Sequence, residues 1–298
     1  MSVVCKICGE KVYKLIGKPV TNTAFPRSSE NNYKIFQCKN CGYYSVLPEI
    51  DLSQQEWQQL YENKYFEHAD VTSWQKKLRD SERKKRFKHL LQSLKTDKGK
   101  FLDIGCGEGH VLQEAYSNGF EPYGVDIANN LSTEFSKFNF FNGNIIDAKF
   151  PNNYFSVIYM DSVLEHVMNP METLHELNRI LKPGGVLLLI VPNEDSLENS
   201  FLRLLYSITF QSHKYGKIKP LVSPYHVQGY NVSSLKMALS KSSFSKTLIK
   251  GFGGSYAFWK ATKINTVQFF QSLLTYPVGL LSIVVNRQIQ LMTISIKE

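Results

Sequence analysis

The chain carries an acidic residue and a series of glycines at a spacing that suits the binding of a nucleotide-like ligand. Two apolar residues lead into Asp103, and glycines follow at Gly105, Gly107 and Gly109. Glycine is needed where the backbone takes a positive φ or approaches a ligand closely. A helix that begins near Gly109 would present free N–H groups and a partial positive charge to that ligand. The segment predicts a buried strand, a tight turn and a helix that cradle a ligand between them.

A second acidic residue stands where it could bind the ribose of such a ligand. The helix after the glycine turn should end at Asn118-Gly119, because glycine is favoured just past a helix C-terminus. The next strand, over residues 120–126, ends in Asp126. This acid lies about 20 residues beyond the turn, where a carboxylate can accept hydrogen bonds from both ribose hydroxyls. Ribose is common to several cofactors, so Asp126 alone does not separate them.

The sequence beyond the second strand resembles the class I S-adenosylmethionine (SAM)-dependent methyltransferases. An apolar strand over 155–161 is followed by V-L-E-H, which ends at His166, by a helix that opens at Asn169, and by R-I-L-K-P-G-G-V-L-L-L. The dinucleotide pattern G-x-G-x-x-G is not met, because His110 stands at its third glycine position. The resemblance covers residues 101–192. It implies SAM as the cofactor and an α/β fold with a doubly wound, Rossmann-like sheet of seven strands, the last antiparallel.

The resemblance also implies which residues hold SAM. Asp103 and the backbone of the glycine turn would bind its methionine end, and Asp126 would bind its ribose. Asn144 stands where the family usually has an aspartate that contacts adenine, and its amide can both donate and accept. Cys106 is interpreted as a small residue of the turn. The expected cofactor-binding set is Asp103, Gly105, Cys106, Gly107, Gly109, Asp126, Ile127, Asn144, Ile145 and Asp161.

Four of the five cysteines form two matched C-x-x-C-G pairs, Cys5 with Cys8 and Cys38 with Cys41. Four thiolates at this spacing suit tetrahedral Zn²⁺, and a site with all four positions filled by protein is structural rather than catalytic. Disulfides are the alternative, and a reducing compartment disfavours them. We predict a zinc-ribbon module over residues 1–50, held together by structural Zn²⁺ because it is too small to build its own core.

A helical linker is predicted over residues 51–98. Ser53 and Glu56 form a capping box at the start of its first helix. The run L-Y-E-N-K-Y-F, just after a cysteine pair, resembles a zinc-containing methyltransferase subgroup associated with polysaccharide and small-molecule biosynthesis, in which this segment forms a lid over the cofactor. The helix after Ser73 holds eight basic and two acidic residues. It is either an electropositive face for RNA, a nucleotide-linked sugar or anionic lipid, or a solvated outer face, which we prefer.

The remaining residues, 99–298, are predicted to form the methyltransferase domain, with helical insertions at about 195–222 and 262–286. In the resembled family the segment after the fifth strand covers the acceptor pocket, which makes Tyr225 and His226 acceptor-side candidates. The second insertion is predicted to be an apolar helical hairpin. It could pack on the core, form a dimer face or rest on a membrane.

Two histidines are candidate catalytic bases. Methyl transfer from a sulfonium depends mainly on proximity and alignment, and an acceptor hydroxyl or acidic carbon needs a general base as well. His166 follows the fourth strand, at the edge of a parallel sheet where ligands bind, and is the first candidate. His226 is the second. The alternative for His166 is that Glu165-His166 is a scaffold element that lines the cofactor.

These features lead to three competing functions. The first is a methyltransferase for a small-molecule or glycan/lipid-linked precursor, and it is preferred because no aromatic residues of the RNA-binding kind accompany the basic helix. The second is an RNA methyltransferase that uses the zinc module and the basic helix to hold nucleic acid. The third is a non-catalytic module that binds zinc and SAM. The acceptor itself and the oligomeric state stay open.

Length and composition fit this organisation. With 298 residues and 43% hydrophobic content, the chain can bury one sizeable core and carry a small extra module. Its N-terminus lacks the pattern of a signal peptide. The apolar run over 276–285 is well short of the ~20 residues that span a bilayer. We expect a cytoplasmic protein, with peripheral membrane contact as an open possibility.

Overall fold

The computed structural model describes residues 4–19, 32–50, 52–63, 73–94, 98–210, 226–253 and 266–298. The strands are β1 (Tyr13–Gly17), β2 (Lys34–Cys38), β3 (Tyr44–Leu47), β4 (Lys100–Ile104), β5 (Glu121–Asp126), β6 (Asn139–Asn142), β7 (Phe155–Asp161), β8 (Leu181–Pro192), β9 (Gln228–Gly229), β10 (Phe244–Phe252) and β11 (Gln290–Lys297). The helices are α1 (Gln54–Asn63), α2 (Ser73–Ser93), α3 (His110–Ser117), α4 (Pro170–Ile180), α5 (Leu197–Ile208), α6 (Val232–Lys241) and α7 (Thr266–Val284).

The chain divides into two compact units. The first, here called the core unit, is made of Asp51–Ile190, Lys236–Leu248 and Thr293–Glu298. The second, here called the cysteine unit, is made of Met1–Ile50, Val191–Leu235 and Ile249–Met292.

The larger sheet has the strand order β10-β11-β8-β7-β4-β5-β6. The strands from β8 to β6 pair in parallel. Strand β11 runs against them: Thr293 Oγ1 donates to the Leu189 carbonyl at 3.1 Å, and Lys297 Nζ donates to the Leu181 carbonyl at 2.8 Å, so numbers rise in one strand as they fall in the other. This mixed seven-stranded sheet confirms the predicted α/β fold class.

Buried apolar runs explain why the central strands form where the sequence predicts them. The residues of β7 from Phe155 to Met160 are buried, and so is the run from Val186 to Val191 in β8. Strands of a parallel sheet are covered on both faces, so they are apolar throughout rather than alternating. These strands place their carboxyl ends at one edge of the sheet, where the polar residues of the candidate site lie.

The predicted helix boundaries hold with one difference in detail. Helix α3 ends at Ser117, and Gly119 follows with φ of +84°, as expected for a residue just past a helix. At α1, Ser53 Oγ accepts from the Glu56 N–H at 3.3 Å and Glu56 Oε2 accepts from the Ser53 N–H at 2.8 Å, which is the predicted capping box. Helix α4 begins at Pro170 after Asn169, but the Asn169 side chain makes no capping hydrogen bond. Proline at the first position, which lacks an N–H, still suits this start.

The predicted hairpin near the C-terminus is wrong. The structure has one continuous helix, α7, with Pro277 inside it. A proline inside a helix can bend it without ending it. Helix α7 packs against α5. Among the helices that the structure describes, none is both long and apolar enough to cross a membrane.

The cysteine unit contains a four-stranded antiparallel sheet in the order β1-β2-β3-β9. Tyr44 of β3 pairs with Gly229 of β9, and the rings of Tyr43 and Tyr230 lie 5.5 Å apart. The three N-terminal strands therefore share a sheet with residues that lie about 180 positions later in the chain.

Asp195 joins several parts of the cysteine unit. Its Oδ1 accepts from the Tyr44 hydroxyl at 2.8 Å, and its Oδ2 accepts from Asn231 Nδ2 at 2.8 Å. Its backbone carbonyl accepts from Arg287 Nη2 at 2.6 Å. This aspartate fixes the segment after β8 to β3 and to the start of α6.

Glu194 is the buried acid beside this junction, at 1% exposure, with Arg203 Nη2 4.0 Å from its carboxylate. Burial raises the pKa of Glu194 from 4.5 to about 8, and Arg203 opposes this rise. The folded state therefore holds the proton more tightly than the unfolded state. Stability must fall as pH rises from 4.5 towards 8.

We predict that Glu194→Gln reduces this loss of stability. The wild-type free energy of unfolding should fall by at most about 5 kcal/mol between pH 5 and pH 8 because of Glu194, and the variant should show a flatter profile. Urea unfolding at a series of pH values measures both. An identical slope in the two proteins would contradict the assignment.

Candidate active site and metal centre

The glycine turn after β4 is held against β5 by backbone hydrogen bonds. The N–H of Gly105 donates to the Val125 carbonyl at 2.7 Å. Gly105 and Gly109 have φ of +73° and +92°. A Cβ on Gly105 would lie 2.3 Å from Val163 Cγ2, and one on Gly109 would lie 2.6 Å from Leu131 Cδ1. Both the backbone conformation and the space therefore demand glycine here.

Asp103 is the next-to-last residue of β4 and is only 2% exposed. Its Oδ2 has no hydrogen-bond partner among the described residues. Burial raises the pKa of Asp103 well above its usual value, the charges of Asp161 and Asp126 raise it further, and Arg83 opposes the rise. A buried acceptor without a donor is costly. A positively charged donor group, such as the ammonium at the methionine end of SAM, would fit it.

Asp126 closes the turn from the neighbouring strand. Its Oδ2 accepts from the Gly107 N–H at 2.8 Å, and its Oδ1 accepts from the Ala128 N–H at 2.9 Å. Burial raises the pKa of Asp126, and these two N–H groups oppose the rise. Each carboxylate oxygen keeps a further lone pair, so both can still accept from ribose hydroxyls. Ile127 follows, and its carbonyl accepts from Asn142 Nδ2 at 3.1 Å.

Asp161, at the end of β7, forms an ion pair with Arg86 of α2. The same carboxylate accepts from the Tyr159 hydroxyl at 3.2 Å and from the Ser162 hydroxyl at 3.0 Å. The expectation of a solvated basic face on α2 is therefore wrong for Arg86, whose side chain is mostly buried. Phe87 beside it packs on Phe101, with ring centroids 5.7 Å apart. The periodicity of apolar residues predicts that Phe87 faces inward. It gives no sign that the side chain of Arg86 does so too.

Two of the expected cofactor-binding residues, Cys106 and Asn144, have side chains that already contact neighbouring protein groups. Cys106 is buried in a cluster with Leu112 and Phe135, and burial raises the pKa of its thiol well above the usual range. Its side chain packs, so only its backbone could face a ligand. Asn144 Oδ1 accepts from the Ile146 N–H at 2.7 Å, and its Nδ2 donates to Asp147.

The expected adenine contact stays a prediction. The Asn144 amide is used within its own turn, and the neighbouring Ile145 is buried.

His166 ends a short 3₁₀ turn, Leu164–His166, that follows β7. Its Nδ1 lies 2.9 Å from the hydroxyl of Tyr61 on α1, and the two rings meet edge to face. The Tyr61 carbonyl accepts from Asn130 Nδ2 at 3.5 Å, and Gln58 Nε2 donates to Asn142 Oδ1 at 3.4 Å. Helix α1 therefore lies against the loops after β5 and β6.

Tyr61 is a site residue that sequence reasoning did not select. The sequence pattern places Tyr61 on an apolar helix face. Its polar hydroxyl was the one feature that could have marked it as a site residue. The second histidine candidate, His226, lies in the cysteine unit just before β9. Tyr225 lies outside the described residues.

The four predicted cysteine ligands come together in the cysteine unit. Cys5 Sγ lies 3.6 Å from Cys41 Sγ, and Cys8 Sγ lies 3.5 Å from Cys38 Sγ. All four sulfurs lie within 4.8 Å of one another, and all four cysteines are free thiols. Four thiolates around Zn²⁺ at 2.3 Å would be about 3.8 Å apart. The donor set and its spacing therefore fit a tetrahedral zinc ion.

The backbone around the sulfurs is shaped as the two C-x-x-C-G sequences require. Gly9 and Gly42 have φ of +84° and +79°, and their N–H groups donate to the Cys5 and Cys38 carbonyls at 2.9 Å. The hydrogen bond between the Cys41 and Cys5 thiols lowers the pKa of Cys5 and raises that of Cys41, and burial raises the pKa of Cys38. The thiols therefore share protons without a metal, and all four must lose them to bind one.

We predict that Cys38→Ser removes the metal and destabilises the cysteine unit, because metal binding in such modules is coupled to folding. Elemental analysis and thermal unfolding would measure both effects. Cys106→Ser is the matched control, since this fifth cysteine lies in the core unit. Stoichiometric zinc in Cys38→Ser would refute the four-cysteine site.

Comparison with known proteins places the chain in a family. The profile of the family described as "Methyltransferase domain" matches residues 76–247, more than half of the chain. The chain therefore belongs to this family, and it has the class I SAM-dependent methyltransferase fold. A SAM dependent methyltransferase from Archaeoglobus fulgidus aligns over 72% of this chain and 92% of its own, with a TM-score of 0.51 and 21% identity. At that identity the likeness is one of fold alone.

The curated relatives have different names for their activities. A tRNA U34 carboxymethyltransferase from Hydrogenovibrio crunogenus is 35% identical over 103 residues, which cover 30% of this chain and 31% of that protein. A demethylmenaquinone methyltransferase from Staphylococcus epidermidis is 24% identical over 135 residues, which cover 42% and 55%. The chain thus spans from a third to just over half the length of these relatives.

Proposed function

We propose that this protein is an enzyme that transfers a methyl group from SAM to a small-molecule or glycan/lipid-linked precursor. The observation that carries the SAM-binding part is the buried Asp103 carboxylate, whose Oδ2 lacks a described partner beside the glycine turn. Asp126 completes the pattern from the adjacent strand. Membership of the methyltransferase family supports the same conclusion.

The residues of the core unit would divide the binding of SAM between them. SAM supplies an electrophilic methyl group on a sulfonium sulfur. Asp103 would hold the ammonium of the methionine end, and Asp126 would accept from the ribose hydroxyls while its own N–H donors keep the carboxylate oriented. The ion pair with Arg86 holds the Asp161 carboxylate in place at the end of β7, at the edge of the sheet where SAM would bind. Such preorganisation is the main contribution a protein makes to methyl transfer.

His166 is the proposed general base of the core unit. The Tyr61 hydroxyl lies within hydrogen-bond distance of its Nδ1, and such a contact selects the orientation and tautomer of the ring. Tyr61 would act as a positioning residue for His166. His226 is kept as the second candidate base.

The acceptor class rests on the cysteine pairs and the segment that follows them, which resemble the polysaccharide and small-molecule subgroup. The named relatives are a tRNA-modifying enzyme and a quinone methyltransferase, so they do not favour one acceptor. An RNA acceptor is the alternative, and a non-catalytic module that binds zinc and SAM is the second. The burial of Arg86 against Asp161 takes charge away from the face of α2 that RNA would need.

We also propose that the four cysteines hold a structural Zn²⁺. Its place would be to fix the turns that carry Cys5 and Cys38, and thereby β2 and β3. No step of methyl transfer is assigned to it, because protein thiolates fill all four positions.

Asp126→Ala should weaken SAM binding at least about a hundredfold, because two hydrogen bonds to a charged group are lost. Isothermal titration with SAM measures the change. Zinc content serves as the internal control and should stay at the wild-type value, since Asp126 lies in the core unit. Unaltered SAM affinity would contradict the assignment of Asp126 to the ribose hydroxyls.

Methyl-labelled SAM, added with the protein to a cell extract, tests the acceptor class. The products are separated into RNA, protein, lipid and small-molecule fractions. We expect nuclease-resistant label in the small-molecule or lipid fraction. Label that nuclease releases would instead support RNA, and SAM binding without label in any fraction would support the non-catalytic alternative.

The same assay tests His166. As a general base, His166→Gln should lower the rate roughly 10²–10⁴-fold while SAM affinity stays near the wild-type value, and Tyr61→Phe should have a smaller effect. If His166→Gln lost both SAM binding and thermal stability, His166 would be a scaffold residue.

A further inference from the structure

Helices α5 and α7 of the cysteine unit pack against each other, yet they leave large apolar side chains in solvent. Phe210, two residues past α5, is 93% exposed, and Val284 at the end of α7 is 81% exposed. The exposed side chains of this surface, here called the α5–α7 surface, are Leu204, Ile208, Phe210, Leu273, Leu280, Leu281, Ile283, Val284 and Val285.

The described part of helix α7 exposes large apolar residues, unlike an ordinary surface helix. Leu273, Leu280 and Val284 lie seven and four residues apart, on one face, and all three are exposed. Among the α7 residues whose side chains the structure describes, the buried ones are the small residues Gly279 and Ser282. Helices in water normally bury their large apolar residues and expose polar ones, whereas small residues between helices and large apolar ones facing outward are typical of a lipid environment.

Helix α5 has a similar character. Its apolar residues Leu197, Phe201, Leu204 and Ile208 recur at helical spacing and form one stripe. The one buried residue of α5, all of which is described, is Asn199. The apolar stripe therefore stays at least partly open to solvent.

The charge of this part of the chain is equally unusual. Residues 199–297 contain twelve of the 35 Lys and Arg residues and none of the 26 Asp and Glu residues. The rest of the chain holds 23 basic and 26 acidic residues, so its net charge is −3. The positive charge of the protein belongs to its C-terminal third.

Two of these cations lie at the C-terminal end of α7. Arg287 follows the helix by three residues, and its guanidinium donates to the Asp195 carbonyl and the Ser200 hydroxyl, which are neutral groups. Lys250 is exposed on β10, and the Gly251 N–H next to it donates to Asn286 Oδ1 at 2.8 Å. Arg287 thus lies on the turn that follows the exposed Val284, and Lys250 lies on the strand that is hydrogen-bonded to that turn.

We propose that the α5–α7 surface docks on a membrane that contains anionic lipid. Its aliphatic side chains would enter the interface between headgroups and acyl chains, and the basic residues would meet lipid phosphates. The charge argues against a second copy of the chain as the occupant, because a segment without acidic residues would repel itself. RNA is disfavoured because exposed Leu, Ile and Val offer nothing for bases to stack on. The proposal does not depend on the methyl acceptor.

Vesicle co-sedimentation of the full chain with its metal tests this surface, without SAM or acceptor. One set of vesicles is phosphatidylcholine, and the other contains phosphatidylglycerol as well. We expect binding to the anionic vesicles that weakens with salt. The double variant Leu280→Asp, Val284→Asp should lower it at least about tenfold. Leu15→Asp is the matched control, since Leu15 on β1 is 55% exposed and Leu280 is 48% exposed, and it should bind as wild type does.

Circular dichroism and zinc content establish that each variant is folded. Absence of binding to anionic vesicles by the wild type would overturn the proposal, as would equal loss in Leu15→Asp and the double variant. A dimer in light scattering that the double variant dissolves, without vesicle binding, would assign the surface to a second copy. Binding to a single-stranded RNA in place of vesicles would assign the charge to nucleic acid.

Discussion

The core unit depends on three carboxylates held at one edge of its sheet. Parallel pairing of β5, β4 and β7 brings Asp126, Asp103 and Asp161 to neighbouring strand ends. Their charges repel, and burial adds to the cost of ionising Asp103. Helix α2 offsets part of this cost, because Arg86 pairs with Asp161 and Arg83 acts on Asp103. The repulsion and burial of these carboxylates would destabilise the protein until a cation bound beside them. Functional sites commonly lower stability in this way.

The cysteine unit shows how a small cysteine-rich sheet can depend on distant sequence. Strand β3 completes its sheet with β9 and ties its Tyr44 hydroxyl to Asp195. The sulfur cluster and the segment after β8 are thus parts of one folded unit. Disorder in the turns around Cys38 would spread through β2 and β3 to that segment. If the segment binds the acceptor, as in the resembled family, the proposed metal would support substrate binding without touching the substrate.

The sequence predicted the features that have a local physical signal. Long buried apolar runs marked β7 and β8, and positive-φ glycines marked the turn after β4. It missed features that depend on distant partners. The pairing of β9 with β3 has two residues on its side and no apolar pattern. The Arg86 side chain faces inward because it pairs with Asp161. The residues near Arg86 in the sequence give no sign of this pairing. The assignment of Asn144 to adenine by position stays a prediction, and its amide hydrogen-bonds to the neighbouring Ile146 and Asp147.

The uneven distribution of charge narrows the question of the acceptor. The core unit, which would hold a sulfonium cofactor, has 20 basic and 20 acidic residues, whereas the cysteine unit has 15 basic and six acidic residues and carries the exposed aliphatic side chains of the α5–α7 surface. An RNA-modifying enzyme would need such cations beside aromatic rings or polar base-reading groups. An enzyme that meets its acceptor at a membrane would need them beside Leu, Ile and Val. The α5–α7 surface has the second composition, so within the proposed acceptor class it favours a lipid-linked precursor over a freely diffusing one.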